Sequence, residues 1–150
     1  MFYNPLQLSD EQKLVYVRLL IFLAKADKDF SKVEEKHIGR LMRRLKLSPE
    51  VLKGLYVPKT LDEVYEVIKP INDRRAALDL VHCLWFVALA DETIDNEEVE
   101  VIRKVAKALN IDDDTLLALN DFVLDEIMFL ERARKTLEAD TVFAEYFPLV

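Results

Sequence analysis

Apolar residues recur at helical spacing along most of the chain, and a helix-start signal precedes most of these segments. Three of the signals are capping boxes, in which a hydroxyl and a Glu or Gln three residues later bond reciprocally to free N–H groups. They pair Ser9 with Gln12, Ser31 with Glu34, and Thr60 with Glu63. The pattern predicts helices at about 9–26, 31–46, 49–56, 60–69, 72–90, 95–109 and 112–137, and no strand. We therefore expect an all-α fold.

The sequence matches itself at a shift of 64 residues. Residues 19–52 align with residues 83–116 without a gap, and most identical positions are apolar, as in any two amphipathic helices. Two charged positions also coincide: Asp27 with Asp91, and Glu34 with Glu98. Surface charges have no packing reason to coincide. We therefore interpret the match as a tandem duplication of a unit made of a helix, an acidic corner and a helix.

The length and composition indicate one domain covering residues 1–150. Hydrophobic residues make up 51% of the chain and charged residues 33%, the balance of a packed core under a charged surface. We expect a single-domain helical bundle in which repeat 1 spans about 9–69 and repeat 2 about 72–137. The tail, 138–150, is rich in aromatic residues, so we expect it to pack on the body.

The net charge of −7 weighs against nucleic acid binding, since an acidic surface repels phosphate. A basic stretch on the second predicted helix is interpreted as the solvated side of an amphipathic helix: Arg40, Arg43, Arg44 and Lys46. No apolar run reaches the roughly 18–20 residues of a membrane span, so no membrane insertion is expected. The N-terminus lacks the features of a signal peptide, and the single cysteine, Cys83, cannot form an internal disulfide. We expect a cytoplasmic protein.

The sequence contains no set of residues arranged for nucleophilic catalysis. Ser9, Ser31 and Ser48 are explained as helix caps, and Cys83 lies in an apolar run. Two isolated glycines cannot build a phosphate-binding loop. His82 is expected to lie beside a polar partner in the core. The larger aromatic residues are expected in the core rather than on a binding surface: Tyr56, Tyr65, Trp85 and Phe122.

An acidic corner joins the two helices of each repeat. It carries the oxygen ligands that a hard divalent cation such as Ca²⁺, Mg²⁺ or Mn²⁺ prefers. The candidate metal ligands are Asp27, Asp29 and Glu34 in the first corner, and Asp91, Asp95 and Glu98 in the second. A structural reading stays open beside this one, in which each Glu closes a capping box and each Asp accepts backbone hydrogen bonds. The corners are not EF-hands, because neither has glycine at loop position six or glutamate at position twelve.

The corners resemble those of the TerB-like family of tellurite-resistance and stress-associated helical proteins. The resemblance rests on the helix ends Ala24-Lys25-Ala26-Asp27 and Ala88-Leu89-Ala90-Asp91, followed by Glu34 and Glu98 in the next helices. The chain has Lys28 and Glu92 where the family has a glycine after the aspartate. The resemblance implies a duplicated all-α fold and an acidic cluster that binds divalent cations. Similar domains also occur beside J-domains, which implies an adaptor role.

We therefore expect a non-enzymatic, TerB-like domain associated with stress or tellurite resistance, with an acidic cluster for a divalent cation and with a protein partner. The main alternative is a protein-protein interaction adaptor of the co-chaperone type, without a metal site. A more remote alternative is a carboxylate metalloenzyme, for which Glu34 and His37 supply a Glu-x-x-His spacing. Nothing in the sequence indicates the oligomeric state.

Overall fold

The computed structural model describes residues 7–26, 32–89 and 96–138. Within these residues it contains six α-helices: α1 (Asp10–Ala26), α2 (Lys32–Arg44), α3 (Leu61–Val67), α4 (Arg74–Leu89), α5 (Asn96–Ala108) and α6 (Asp113–Thr136). A 3-10 turn, Pro49–Leu52, lies between α2 and α3. No strand occurs in the described ranges, and the all-α prediction is confirmed. The predicted packing of the tail concerns residues 139–150, which lie outside the description.

The helix starts agree with the capping signals where both partners are described. Ser9 Oγ accepts a hydrogen bond from Gln12 N at 3.2 Å, and Gln12 Oε1 accepts one from Ser9 N at 3.0 Å. At α3, Thr60 Oγ1 accepts a hydrogen bond from Glu63 N at 3.2 Å. The Glu63 carboxylate accepts one from the N–H of Lys59 at 2.6 Å, and this bond is the main cause of its lowered pKa. Local chemistry therefore sets where these helices begin.

Helix α4 is the centre of the fold. Twelve of its 16 residues are buried, since it packs against α1, α2, α5 and α6. An amphipathic helix buries only one face, so the nearly continuous apolar run from Leu80 to Ala88 is what a helix surrounded by others requires. Even so, none of the helices in the described part of the chain is long and apolar enough to cross a membrane.

Helices α2 and α5 end in the same way, 64 residues apart in sequence. Lys46 and Asn110 follow their last turns with positive φ angles of 57° and 61°. The next N–H group in each copy then bonds back to the last turn: Leu47 N to Met42 O at 2.8 Å, and Ile111 N to Ala106 O at 2.9 Å. Ser48 and Asp112 cap the element that follows. The tandem duplication and the single-domain boundaries stay predictions, and these matched helix ends support the duplication.

The predicted helix at 49–56 is wrong, because only the 3-10 turn Pro49–Leu52 forms there. Ser48 caps the segment as predicted, since its Oγ accepts a hydrogen bond from Glu50 N at 3.3 Å. The turn buries none of its side chains, and Gly54 takes a φ of 72°, outside the helical region. Without an apolar face to bury, a capped segment this short gains too little to continue as a helix.

Two expectations about burial are also wrong. The basic stretch of α2 is not simply solvated, because Arg40 is 9% exposed and Arg44 reaches into the core. Of the four aromatic residues expected in the core, Trp85 is buried, whereas Tyr56, Tyr65 and Phe122 are exposed. Helical periodicity identifies a face of a helix, but it does not tell what covers that face.

Candidate functional site

Among the predicted metal ligands, Glu98 is the one whose side chain the structure describes. Glu34 belongs to α2, but its side chain lies outside the description. The aspartates of both corners lie outside it as well: Asp27, Asp29, Asp91 and Asp95. The predicted ligand set therefore stays a prediction, and the surroundings of Glu98 are the structural information that bears on it.

Glu98 is buried in the first turn of α5, with 1% of its surface exposed. Its neighbour Glu97 in the same turn is exposed. The N-terminus of a helix stabilises a carboxylate by about 0.3–1 kcal/mol, whereas taking an ionised carboxylate out of water costs several kcal/mol. The helix N-terminus therefore offsets only part of the cost of burying Glu98, and the side chain makes further interactions within the chain.

A separate polar cluster lies in the core, where α4 faces α1 and α2. The hydroxyl of Tyr16 donates a hydrogen bond to Asp79 Oδ2 at 2.7 Å. The same oxygen lies 3.6 Å from Nη2 of Arg44, and the side chain of Asp79 is 3% exposed and that of Arg44 10%. Burial first, and then the charge of Asp79, raise the pKa of Tyr16, so its hydroxyl stays protonated and remains a donor.

Cys83 belongs to the same cluster. Nη1 of Arg44 lies 3.5 Å from its Sγ, and the residue is buried. Burial first, and then the charge of Asp79, raise the pKa of the thiol to about 12, against an opposing effect of Arg44. A buried, protonated thiol is a poor nucleophile, because the thiolate is the reactive form.

We expect Cys83 to be unreactive toward Ellman's reagent in the native protein at about pH 8. With the pKa raised to about 12, the thiolate is roughly one part in ten thousand at that pH, and the sulfur is also covered. In guanidinium chloride the same thiol should react fully, which is measured as the absorbance of the released thionitrobenzoate. Fast, complete release from the folded protein would contradict both the burial and the direction of the pKa shift.

Asp79, His82 and Cys83 each place one potential ligand atom within 4.8 Å of the others. By distance alone this group could hold a metal ion, and its mixed O, N and S donors suit Zn²⁺ better than Ca²⁺ or Mg²⁺. The contacts favour a structural role instead. The Arg44 guanidinium already places positive charge beside Asp79 and Cys83, and the imidazole of His82 already contacts the carboxylate of Glu126.

His82 connects α4 to α6. Its Nε2 lies 2.5 Å from Oε1 of Glu126, and both side chains are buried. The imidazole also stacks on Phe122, with 5.4 Å between the ring centroids. A polar partner for His82 was expected from the sequence, and the structure identifies it as Glu126. The apolar run around His82 does not indicate which residue this partner is, because Glu126 lies 44 residues further along the chain.

The cluster of Tyr16, Arg44 and Asp79 was not predicted from the sequence. A signal for it was present, because Asp79 and His82 interrupt an otherwise apolar helix. A charged residue in a helix that is buried on every side needs a partner of opposite charge or a hydrogen-bond donor. Arg44 meets that need from α2. Arg44 was not recognised as this partner because it lies in a basic stretch that was interpreted as the solvated side of a helix.

Residues 58–121 match the protein-family model described as Tellurite resistance protein TerB. The matched region starts just before α3, includes α4 and α5, and ends within α6. It therefore contains the second acidic corner but not the first. The TerB-like resemblance is confirmed for this region, which is less than half of the chain. A search of the curated proteins and a search of the solved structures each return no match.

Proposed function

We propose, from this TerB match, that the chain binds a divalent cation at the corner between α4 and α5, where Asp91, Asp95 and Glu98 supply the ligands. The observation that carries the proposal is the burial of Glu98 in the first turn of α5. A cation at this corner would add positive charge beside this buried carboxylate, in addition to the interactions that Glu98 makes within the chain. The three candidate ligands offer carboxylate oxygens, which fit Ca²⁺, Mg²⁺ or Mn²⁺.

The position of Asp91 also supports a cation. Asp91 follows the last residue of α4, Leu89, by two positions. The C-terminus of a helix carries partial negative charge, so an aspartate there is unfavourable unless positive charge offsets it. A cation between Asp91 and Glu98 would offset the repulsion at the end of α4 and the buried charge at the start of α5 together.

The second corner is the better candidate of the two. It lies inside the region that matches the TerB family model, whereas the first corner lies outside it. The first corner also contains Lys28, whose charge competes with a cation, whereas the second has Glu92 at the matching position. We therefore place the stronger site at the second corner and treat the first as a weaker one.

The proposed role is that of a non-enzymatic, cytoplasmic domain associated with stress or tellurite resistance. The cation would act on the conformation and charge of the corner rather than in a reaction. The described core residues of a type that often takes part in catalysis, Cys83 and His82, are buried and make structural contacts. A protein partner is part of this proposal, since a binding domain of this kind acts through what it contacts.

Isothermal titration of the full chain with CaCl₂, MgCl₂ and MnCl₂ tests the cation site. We expect at least one of these ions to bind more tightly than the millimolar range. Asp91→Asn and Glu98→Gln should each weaken binding by about tenfold or more, which corresponds to about 1.4 kcal/mol, because each removes a ligand charge but keeps the side-chain volume.

Glu100→Gln is the matched control for this titration. Glu100 is an exposed residue of the same helix that pairs with Arg103 and Lys104 at the surface, so its substitution should leave cation affinity unchanged. Circular dichroism of each variant shows whether α5 is intact. The proposal fails if no ion binds below the millimolar range, or if Glu98→Gln binds as tightly as Glu100→Gln.

A further inference from the structure

The outer side of α6 carries large apolar residues that are exposed and lie outside the core formed by the described residues. Leu117 is 60% exposed and Met128 69%, while Leu124 between them is also exposed. The spacings of seven and four residues place these three side chains in one stripe along the helix. An exposed stripe of this kind on a soluble protein indicates a contact surface. We call it the α6 stripe.

The α6 stripe leads into a groove between α4, α5 and α6. The groove has a volume of about 750 Å³. Its lining is mainly apolar and includes Trp85 of α4 together with two residues of the stripe, Leu117 and Leu124. Because Leu117 and Leu124 belong to both, the stripe and the groove adjoin each other along α6, the geometry that an amphipathic helix needs for docking.

The charges that border this surface are acidic. On α6, four exposed aspartates flank the apolar residues: Asp113, Asp114, Asp121 and Asp125. The sequence has no Lys or Arg between residues 113 and 131. The one basic residue of the groove lining, Arg103, lies 3.7 Å from Glu100 on its own helix. An occupant that complements this rim carries positive charge beside an apolar face.

We propose that the groove and the α6 stripe bind a basic amphipathic helix of a partner protein. Its apolar residues would cover Leu117, Leu124 and Met128, and its Lys or Arg residues would face the aspartates of the rim. Glu98, the proposed cation ligand whose side chain is described, is not among the described residues that line the groove, and the proposal does not depend on cation binding.

The charges argue against two other occupants. The segment 139–150 of this chain contains Asp140 and Glu145 and no basic residue, so it would bring like charge to an acidic rim. A second copy placed by twofold symmetry would bring the same acidic rim against itself. Both arrangements cover apolar area but oppose negative charge to negative charge.

The test uses Trp85, the only tryptophan of the chain, which lines the groove. The probe is a short synthetic amphipathic helix made of Leu and Lys, and its matched control carries Glu in place of every Lys. Titration of the full chain with the Lys peptide should change the Trp85 emission with saturation at micromolar concentration, and the Glu peptide should not. The double variant Leu117→Ser/Met128→Ser should weaken binding by about tenfold or more.

Leu52→Ser is the control for non-specific hydrophobic binding of the peptide, since Leu52 is also exposed but lies on the 3-10 turn. It should bind the Lys peptide as the parent chain does. Equal weakening in the Leu52 variant and the α6 variant would overturn the proposal, because binding would then not be specific to this surface.

Two further measurements distinguish the other occupants, and either positive result overturns the proposal. A shift of the Trp85 emission caused by Phe143→Ser/Phe147→Ser in the absence of peptide would place the chain's own C-terminal segment on the groove. A dimer in sedimentation equilibrium that Leu117→Ser dissociates would assign the surface to a second copy. We expect neither, and we expect the parent chain and these variants to have the same far-UV circular dichroism.

Discussion

An Asp79→Ala chain should lose about 3–5 kcal/mol of its free energy of unfolding, the cost of leaving one member of a buried ion pair without the other. In the native protein Asp79 accepts a hydrogen bond from Tyr16 at 2.7 Å and lies 3.6 Å from Arg44. The substitution leaves the guanidinium of Arg44 in the core without this carboxylate, and it leaves the hydroxyl of Tyr16 with the more distant carbonyl of Ala76, at 3.3 Å, as an acceptor. Urea unfolding followed by circular dichroism and Trp85 emission measures the loss.

Two further variants show whether the loss of stability comes from removing the negative charge of Asp79 beside Arg44. Asp121→Ala removes an exposed aspartate of α6 and should change stability by no more than about 0.5 kcal/mol. Arg44→Met combined with Asp79→Ala removes both charges, and it should be clearly more stable than Asp79→Ala alone. If the double variant is as unstable as the single one, the loss comes from packing and not from the lost ion pair between Arg44 and Asp79.

A Glu126→Ala chain should be less stable by about 2–3 kcal/mol, the range for a buried hydrogen bond that involves a charged group. Glu126 is the described partner of His82, with 2.5 Å between Oε1 and Nε2, and this contact joins α6 to the central helix. Removing the carboxylate leaves the imidazole buried without this bond. Denaturant unfolding again gives the measurement, and the slope of the transition shows whether the folded state stays compact.

Glu131→Ala is the matched control on the same helix. Glu131 pairs with Arg134 one turn away at the surface of α6, so its loss should cost less than about 1 kcal/mol. Glu126→Gln tests the mechanism, because an amide oxygen can still accept a hydrogen bond from the imidazole. It should recover part of the lost stability, and a Gln variant as unstable as the Ala variant would contradict the hydrogen-bond explanation.

The two buried pairs share one structural consequence. Each uses a polar side chain of α4, and each connects α4 to another helix: Asp79 to α1 and α2, and His82 to α6. Apolar contacts are tolerant of rotation and sliding, whereas a buried charge tolerates few geometries. We infer that these pairs fix how the outer helices are placed around α4. The placement of α6 in turn sets the groove and the α6 stripe.

The candidate cation site was predictable from the sequence only in part. The position of Glu98 at the start of a helix follows from local spacing, and the structure confirms that it lies in the first turn of α5. Its burial did not follow, because a glutamate three residues after a cap has a complete explanation at the surface. The groove was not predicted, since its lining comes from three helices that sequence patterns treat one at a time.

The sequence alone determined what depends on neighbours within a few positions. The starts of α1 and α3 follow from Ser9 and Thr60, and the central place of α4 follows from its nearly uninterrupted apolar run. Only the tertiary structure decided which helix faces pack against each other and which stay exposed. It paired Arg44 with Asp79 and left Leu117 and Met128 in solvent. The physical reason is that helical periodicity is a local property, whereas burial depends on helices distant in sequence that meet only after folding.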